Sequence, residues 1–96
     1  MKVDVDPLAE AEMLEAKLYY NDLSENLGVK LLDEIEVVVH GILLWPNAHF
    51  EIFLGIRRAL LRRYPYYIAY RVRSDSVQIV ALVNRHRKPF YWVDRV

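Results

Sequence analysis

The sequence predicts an α+β fold: a helical hairpin packed on a mostly antiparallel four-stranded sheet, in the order β-α-α-β-β-β. Three observations carry this expectation. Between residues 7 and 44, apolar side chains recur at three- and four-residue steps, the period of amphipathic helices. Later, the runs Tyr66–Val72 and Val77–Val83 are rich in β-branched and aromatic residues and flank a polar turn, Arg73-Ser74-Asp75-Ser76. Charge is divided along the chain: residues 1–50 hold three basic and ten acidic residues, whereas residues 51–96 hold ten basic and three acidic ones. The formal net charge of zero therefore conceals an acidic half and a basic half. Either the halves pair across the fold, or the basic one forms a face for an anionic partner.

With 96 residues, 54% of them hydrophobic, one domain spanning residues 1–96 is expected, with a core that needs no metal or disulfide. The absence of cysteine excludes a disulfide scaffold and a zinc–thiolate site, and fits a reducing compartment. The N-terminal MKVDVDP places acid where a secretory signal carries its apolar run. The apolar patch Val37–Trp45 contains His40 and is too short to span a bilayer. A cytoplasmic location is expected. His40, His49 and His86 lack metal-ligand spacing, so no metal and no cofactor is expected.

Taken in order, Lys2–Val5 alternates, with Val3 and Val5 on one side, as in a short strand. Asp6-Pro7 opens a helix: the carboxylate can accept from free N–H groups, and proline fits the first helical position. Glu10 and Glu12 lie near the positive end of the helix dipole. Leu8, Ala11, Leu14 and Leu18 mark the expected buried stripe, Tyr19-Tyr20 close the helix, and Asn21–Asn26 turns. Gly28 stands at the break before a second helix, Leu27–Leu44. Its row is Leu31, Ile35, Val38 and Ile42, widened by Leu32, Val39 and Leu43. Val37-Val38-Val39 favours a strand locally, and the period overrides that preference. Pro46 stops the helix, and Asn47–Leu54 reads as a connection anchored by Phe50 and Phe53.

Ile56–Arg63 is the next expected strand, followed by a turn or edge feature at Tyr64-Pro65. Tyr66, Ile68, Tyr70 and Val72 then share one face, opposite Tyr67, Ala69 and Arg71. Val77, Ile79, Ala81 and Val83 share a face opposite Gln78, Val80 and Leu82. Apolar residues on both faces suggest a central strand.

Three groups of residues could carry chemistry. Alternation puts Arg57 and Arg63 on one face of their strand and Arg58 and Arg62 on the other. Guanidinium forks match phosphate oxygens, so the four could form a phosphate-binding groove. They could equally be solvated edge charges that prevent aggregation. The second group is Arg85-His86-Arg87-Lys88, in which His86 is the candidate general base. The alternative is a solvated strand end paired with helix carboxylates. Phe90-Tyr91-Trp92 offers either an aromatic platform for a base or a plug over the core. No glycine-rich phosphate loop, Ser or Cys nucleophile motif or paired-carboxylate signature is present.

The string LRRYPYYIAYRV, an apolar strand and then RHRKPFYW resembles the RelE/ParE superfamily of bacterial toxins, especially its plasmid-stabilisation branch. AEAEMLEAKLYY and LGVKLLDEIEVVVHGILLWP resemble its two-helix pattern, and GIRRALLRR opens the sheet as in those proteins. The resemblance implies a small cytoplasmic toxin that arrests growth. It also implies inhibition by an antitoxin encoded beside it, with which it could form a hetero-oligomer. RelE-like members cut mRNA in the ribosome with a basic and tyrosine set; ParE-like members poison DNA gyrase. By matching strings, Arg58 falls at a catalytic lysine of the RelE-like set, Arg87 at its strand-end arginine and Tyr91 near its C-terminal tyrosine. Leu60 stands where a second lysine is expected and Tyr67 where a central arginine is. RKPFYW also replaces the Met-Asp of the ParE-type ending.

The expected function is the toxin of a type II toxin–antitoxin module, with DNA gyrase as the favoured target. The alternative is a ribosome-dependent mRNA endonuclease using Arg58, His86, Arg87 and Tyr91. In either case Arg57, Arg62, Arg63, Arg85 and Lys88 would bind the target or nucleic acid. A non-enzymatic nucleic-acid- or protein-binding module is the alternative of another class, and a subunit assembled through its tyrosine-rich edge is a third.

Overall fold

The computed structural model describes residues 1–96. Its elements are β1 (Lys2–Val5), α1 (Pro7–Leu23), α2 (Leu27–Leu44), β2 (Glu51–Phe53), β3 (Ile56–Leu60), β4 (Tyr66–Val72), β5 (Ser76–Asn84) and a 3-10 turn, Val93–Arg95. The sheet order is β1-β5-β4-β3-β2. β1 runs parallel to β5, and the other neighbours are antiparallel. The sheet is thus five-stranded and mixed, not four-stranded. The additional strand, β2, lies in the stretch read as a connection. Gly55, at φ 73°, permits the tight Leu54-Gly55 link between β2 and β3. β1 is parallel because the helical hairpin carries the chain across one face of the sheet before it returns.

The expected strand Ile56–Arg63 ends at Leu60. Beyond it, the Leu61 N–H donates to the Tyr66 carbonyl, and the N–H groups of Arg62 and Arg63 both donate to Glu34 Oε2 on α2. The backbone has therefore left the ladder, and the expected facing of Arg62 and Arg63 does not hold.

α2 has the expected bounds and buries Leu31, Ile35 and Ile42. α1 begins as expected, with Asp6 Oδ1 accepting from the Leu8 N–H at 2.8 Å. It runs on to Leu23 because Asn21 stays helical and caps the next helix, its Oδ1 accepting from the Gly28 N–H at 2.8 Å. Its buried face is not the leucine stripe. Ala9 and Ala16 are buried and Met13 and Tyr20 pack beside them, whereas Leu14 and Leu18 are 56% and 55% exposed. Leu8 is exposed as well. Both stripes have helical spacing, and the small one wins because it lets α1 approach the sheet and α2 closely.

The larger core lies between the helices and the sheet, around Leu31, Ile42, Ile68, Tyr70 and Ile79. A second core lies on the opposite face, where Ile56, Ala69, Val80, Ala81 and Val83 are covered by Trp92. β5 is apolar on both faces for this reason. Its alternation is broken once: Ala69 pairs with Ala81 and Tyr70 with Ile79, leaving Val80 as an extra residue. Past this bulge the faces exchange. Leu82 joins Val77 and Ile79 under the helices, while Ala81 and Val83 move to the second core. No helix is long and apolar enough to cross a membrane.

Candidate functional site

The site forms where β1 stops. β1 pairs with β5 only from Ser76 to Ile79, so the outer edge of β5 beyond that point has no strand neighbour. Side chains occupy it instead. Glu12 Oε1 accepts from the Leu82 N–H at 3.1 Å, and the Val80 carbonyl accepts from Arg95 Nη1 at 3.1 Å. The Tyr91 hydroxyl donates to Glu12 Oε2 at 2.5 Å and lies 3.3 Å from the Leu82 carbonyl. Arg95 forks onto both oxygens of Glu12, with Nη1 to Oε1 at 2.9 Å and Nη2 to Oε2 at 3.0 Å. Glu12 thus joins α1, the edge of β5 and the C-terminal segment.

The Tyr91 ring supports the basic turn. The Arg87 guanidinium lies over it at 4.1 Å from the centroid, with Arg95 at 5.4 Å. Burial, then the hydrogen bond to Glu12, raises the Tyr91 phenol above its ordinary value. The hydrogen bond to Glu12 raises the Arg95 guanidinium. An open cavity of about 410 Å³ adjoins the turn, lined by Tyr19, Tyr20, Tyr66, His86, Arg87 and Tyr91 among others.

The structure brings His86, Arg87 and Tyr91 to this rim and leaves Arg58 apart. Arg58 is on β3, over the Phe50 ring at 5.3 Å, and β4 separates it from β5. Two strand spacings put it roughly 10 Å away across the sheet. Arg57 points to the helix side, donating from Nη1 to the His49 carbonyl at 2.7 Å. Arg62 and Arg63 line a separate cavity with Lys30, Asp33, Glu34 and Val37. Arg85, His86, Arg87 and Lys88 are all exposed. Their turn is fixed by its backbone: the Arg85 N–H donates to the Pro65 carbonyl, and the N–H groups of His86 and Arg87 donate to Asn84. Leu60 and Tyr67 are cross-strand partners, and Tyr67 packs on the second core.

Sequence reasoning missed Glu12 as a hub and did not single out Arg95. The available signal was positional: Glu12 lies between Ala9 and Ala16, on the flank of the stripe that is buried.

Alkaline pH tests this packing. The phenols of Tyr20, Tyr64, Tyr66, Tyr70 and Tyr91 are all raised, with burial the largest cause in each. Below a pH of about 10 they are neutral in both folded and unfolded chains, and stability is undiminished. Above it the unfolded chain releases protons that the folded one keeps, so stability falls as pH rises until the folded phenols ionise as well. Urea midpoints should be flat between pH 8 and 9 and drop sharply by pH 11; a flat profile throughout would contradict the burial.

No protein-family model matches the chain. It is 30% identical over 81 residues to Toxin ParE2 of Mycobacterium tuberculosis, in two strains, covering 83% of this chain and 77% of that protein. Its fold matches a solved structure described as the chromosomal ParDE TA system from P. aeruginosa, with a TM-score of 0.78 and 20% identity, over 88% of this chain and 95% of that one. The sequence likeness reaches across most of both proteins, and the helical hairpin on a mixed sheet agrees with it: the chain belongs to the RelE/ParE superfamily of toxins.

Proposed function

We propose that residues 1–96 act as one toxin domain of a type II toxin–antitoxin module, and that the toxin arrests growth in the cytoplasm by engaging DNA gyrase rather than by cutting mRNA. The observation that carries this reading is the Leu60–Tyr67 pair. These two positions, where the resemblance expects cations, hold an alkyl and a phenol. The Tyr91 hydroxyl is committed to Glu12, and Arg58 stands away from Arg87. A phosphorane-like transition state would find little preorganised positive charge. The exposed turn Arg85–Lys88 remains available as a target-binding surface, together with the exposed Arg62 and Arg63 and the half-buried Arg57 and Arg58. One purified sample should inhibit gyrase supercoiling and leave ribosome-bound mRNA intact. Cleavage of mRNA without an effect on supercoiling would reverse the assignment of target.

The antitoxin encoded beside the gene would cover apolar surface and the basic end with a helix or strand. The outward leucines of α1 support this, because Leu14 and Leu18 are large, apolar and over half exposed on a helix whose core contacts are made by other residues. Leu14→Glu with Leu18→Glu should leave the fold intact and weaken antitoxin binding by about a hundredfold, the scale of losing two buried leucines. Titration calorimetry measures it; unchanged affinity would remove α1 from the interface.

A further inference from the structure

We propose that Glu12 is the positioning residue of the basic turn: through the Tyr91 phenol, it holds the ring on which the Arg87 guanidinium rests. The effect on toxin activity rests on the functional reading above, whereas the geometric claim stands without it.

Glu12 accepts from four donors on three residues: the Leu82 N–H, the Tyr91 hydroxyl and two nitrogens of Arg95. Its side chain is 16% exposed and that of Arg95 is 13% exposed. A carboxylate–guanidinium pair this sheltered contributes little net stability, because the cost of removing both charges from water offsets most of their attraction. What it does supply is direction. One carboxylate oxygen is tied to the β5 backbone, so the carboxylate cannot rotate freely, and the other then fixes the Tyr91 hydroxyl. Tyr91 is further confined by packing on the second core. The ring therefore has one orientation, and Arg87 meets its face at 4.1 Å. The side chain of Arg87 makes no hydrogen bond or ion pair within the chain, and the residue is exposed. Without an ordered ring beneath it, a long cationic side chain on a surface turn would be free to sample many rotamers. Glu12 meets the hydroxyl end of Tyr91 and Arg87 meets the ring, so the carboxylate reaches Arg87 through Tyr91 and makes no direct bond to it, while both line the same cavity.

Two readouts test this. The first is the NMR signal of the Arg87 side chain, which should carry an upfield ring-current shift in the wild-type protein. Glu12→Gln keeps a carbonyl oxygen for an N–H or hydroxyl donor and should retain most of the shift. In Glu12→Ala and Tyr91→Phe, which remove the link from either end, the shift should collapse towards that of a free arginine. Should Glu12→Ala fail to fold, Tyr91→Phe decides, since it deletes one hydroxyl and keeps the ring. The second readout is gyrase inhibition per folded molecule. Its half-inhibitory concentration should rise about tenfold in Glu12→Ala and Tyr91→Phe, the scale of one lost charge-assisted hydrogen bond, and should stay near the wild-type value in Glu12→Gln. A purely structural Glu12 would lower the melting temperature and leave the Arg87 shift of the folded protein unchanged, and that result would overturn the proposal. So would the absence of a shifted Arg87 in the wild type. If the shift behaves as described and wild-type protein inhibits no gyrase, the positioning stands and the gyrase reading fails.

Discussion

Gly28→Ala should destabilise the protein by about 2–3 kcal/mol, against a total stability of roughly 5–15 kcal/mol for a domain of this kind. Gly28 is the second residue of α2 and lies where α2 crosses α1. A Cβ there would stand 2.1 Å from the Lys17 carbonyl oxygen and 2.7 Å from Asn21 Oδ1. The first obstacle is backbone, which cannot rotate aside as a side chain can. The helices would have to separate, and that would also loosen the bond from the Gly28 N–H to Asn21. Alanine's better helix propensity works in the opposite direction by at most about 1 kcal/mol, so the clash prevails. Gly41 is the control. It lies in the same helix with nothing within 4 Å of an added Cβ, so Gly41→Ala should be neutral or stabilising by up to about 1 kcal/mol. Opposite signs for the two substitutions in urea denaturation would locate the effect in the helix crossing. Equal effects would show that propensity alone governs both.

The same crossing explains why α2 was legible in the sequence and the facing of α1 was not. α2 has one large-residue stripe, and that stripe is buried. α1 has two stripes of the same period, and size suggested the wrong one: leucines are better core residues in general, but close approach to α2 and β5 favoured Ala9 and Ala16. The bulge at Val80 was hidden for a related reason. From Ile79 to Val83 every residue is apolar, so no polar side chain marks the exchange of faces. The basic turn could be read directly, because four adjacent cationic-capable residues are seldom buried. The role of Tyr91 could not. It follows from the early end of β1, whose four residues leave much of the nine-residue β5 uncovered. Nothing local to Tyr91 states that difference in length. Glu12 and Tyr91 are 79 positions apart, and only the tertiary fold joins them.

The largest loss from one truncation is expected at Trp92. Trp92→Ala should cost about 3–5 kcal/mol, the range for deleting a fully buried large aromatic. Trp92 is 0% exposed and has the largest side chain among the fully buried residues. It packs against Ile56, Ala69, Val80, Ala81 and Val83, with the Phe53 and Phe90 rings at 6.3 and 5.8 Å. Its removal would uncover the centre of the sheet face opposite the helices, leaving Phe53, Phe90 and Tyr91 at its margin. Trp92→Phe separates the contributions. The indole Nε1 is buried without a hydrogen-bond partner, and an unsatisfied donor costs about 1–3 kcal/mol. Phenylalanine loses some packing and also removes that donor, so its net cost should be within about 1 kcal/mol. Circular dichroism at 222 nm during urea unfolding reads both variants. Trp45 is exposed and remains as an emission reference after Trp92 is removed. If Trp92→Phe were as damaging as Trp92→Ala, the indole nitrogen would have to be engaged in an interaction that stabilises the fold, and packing alone would not explain the second core.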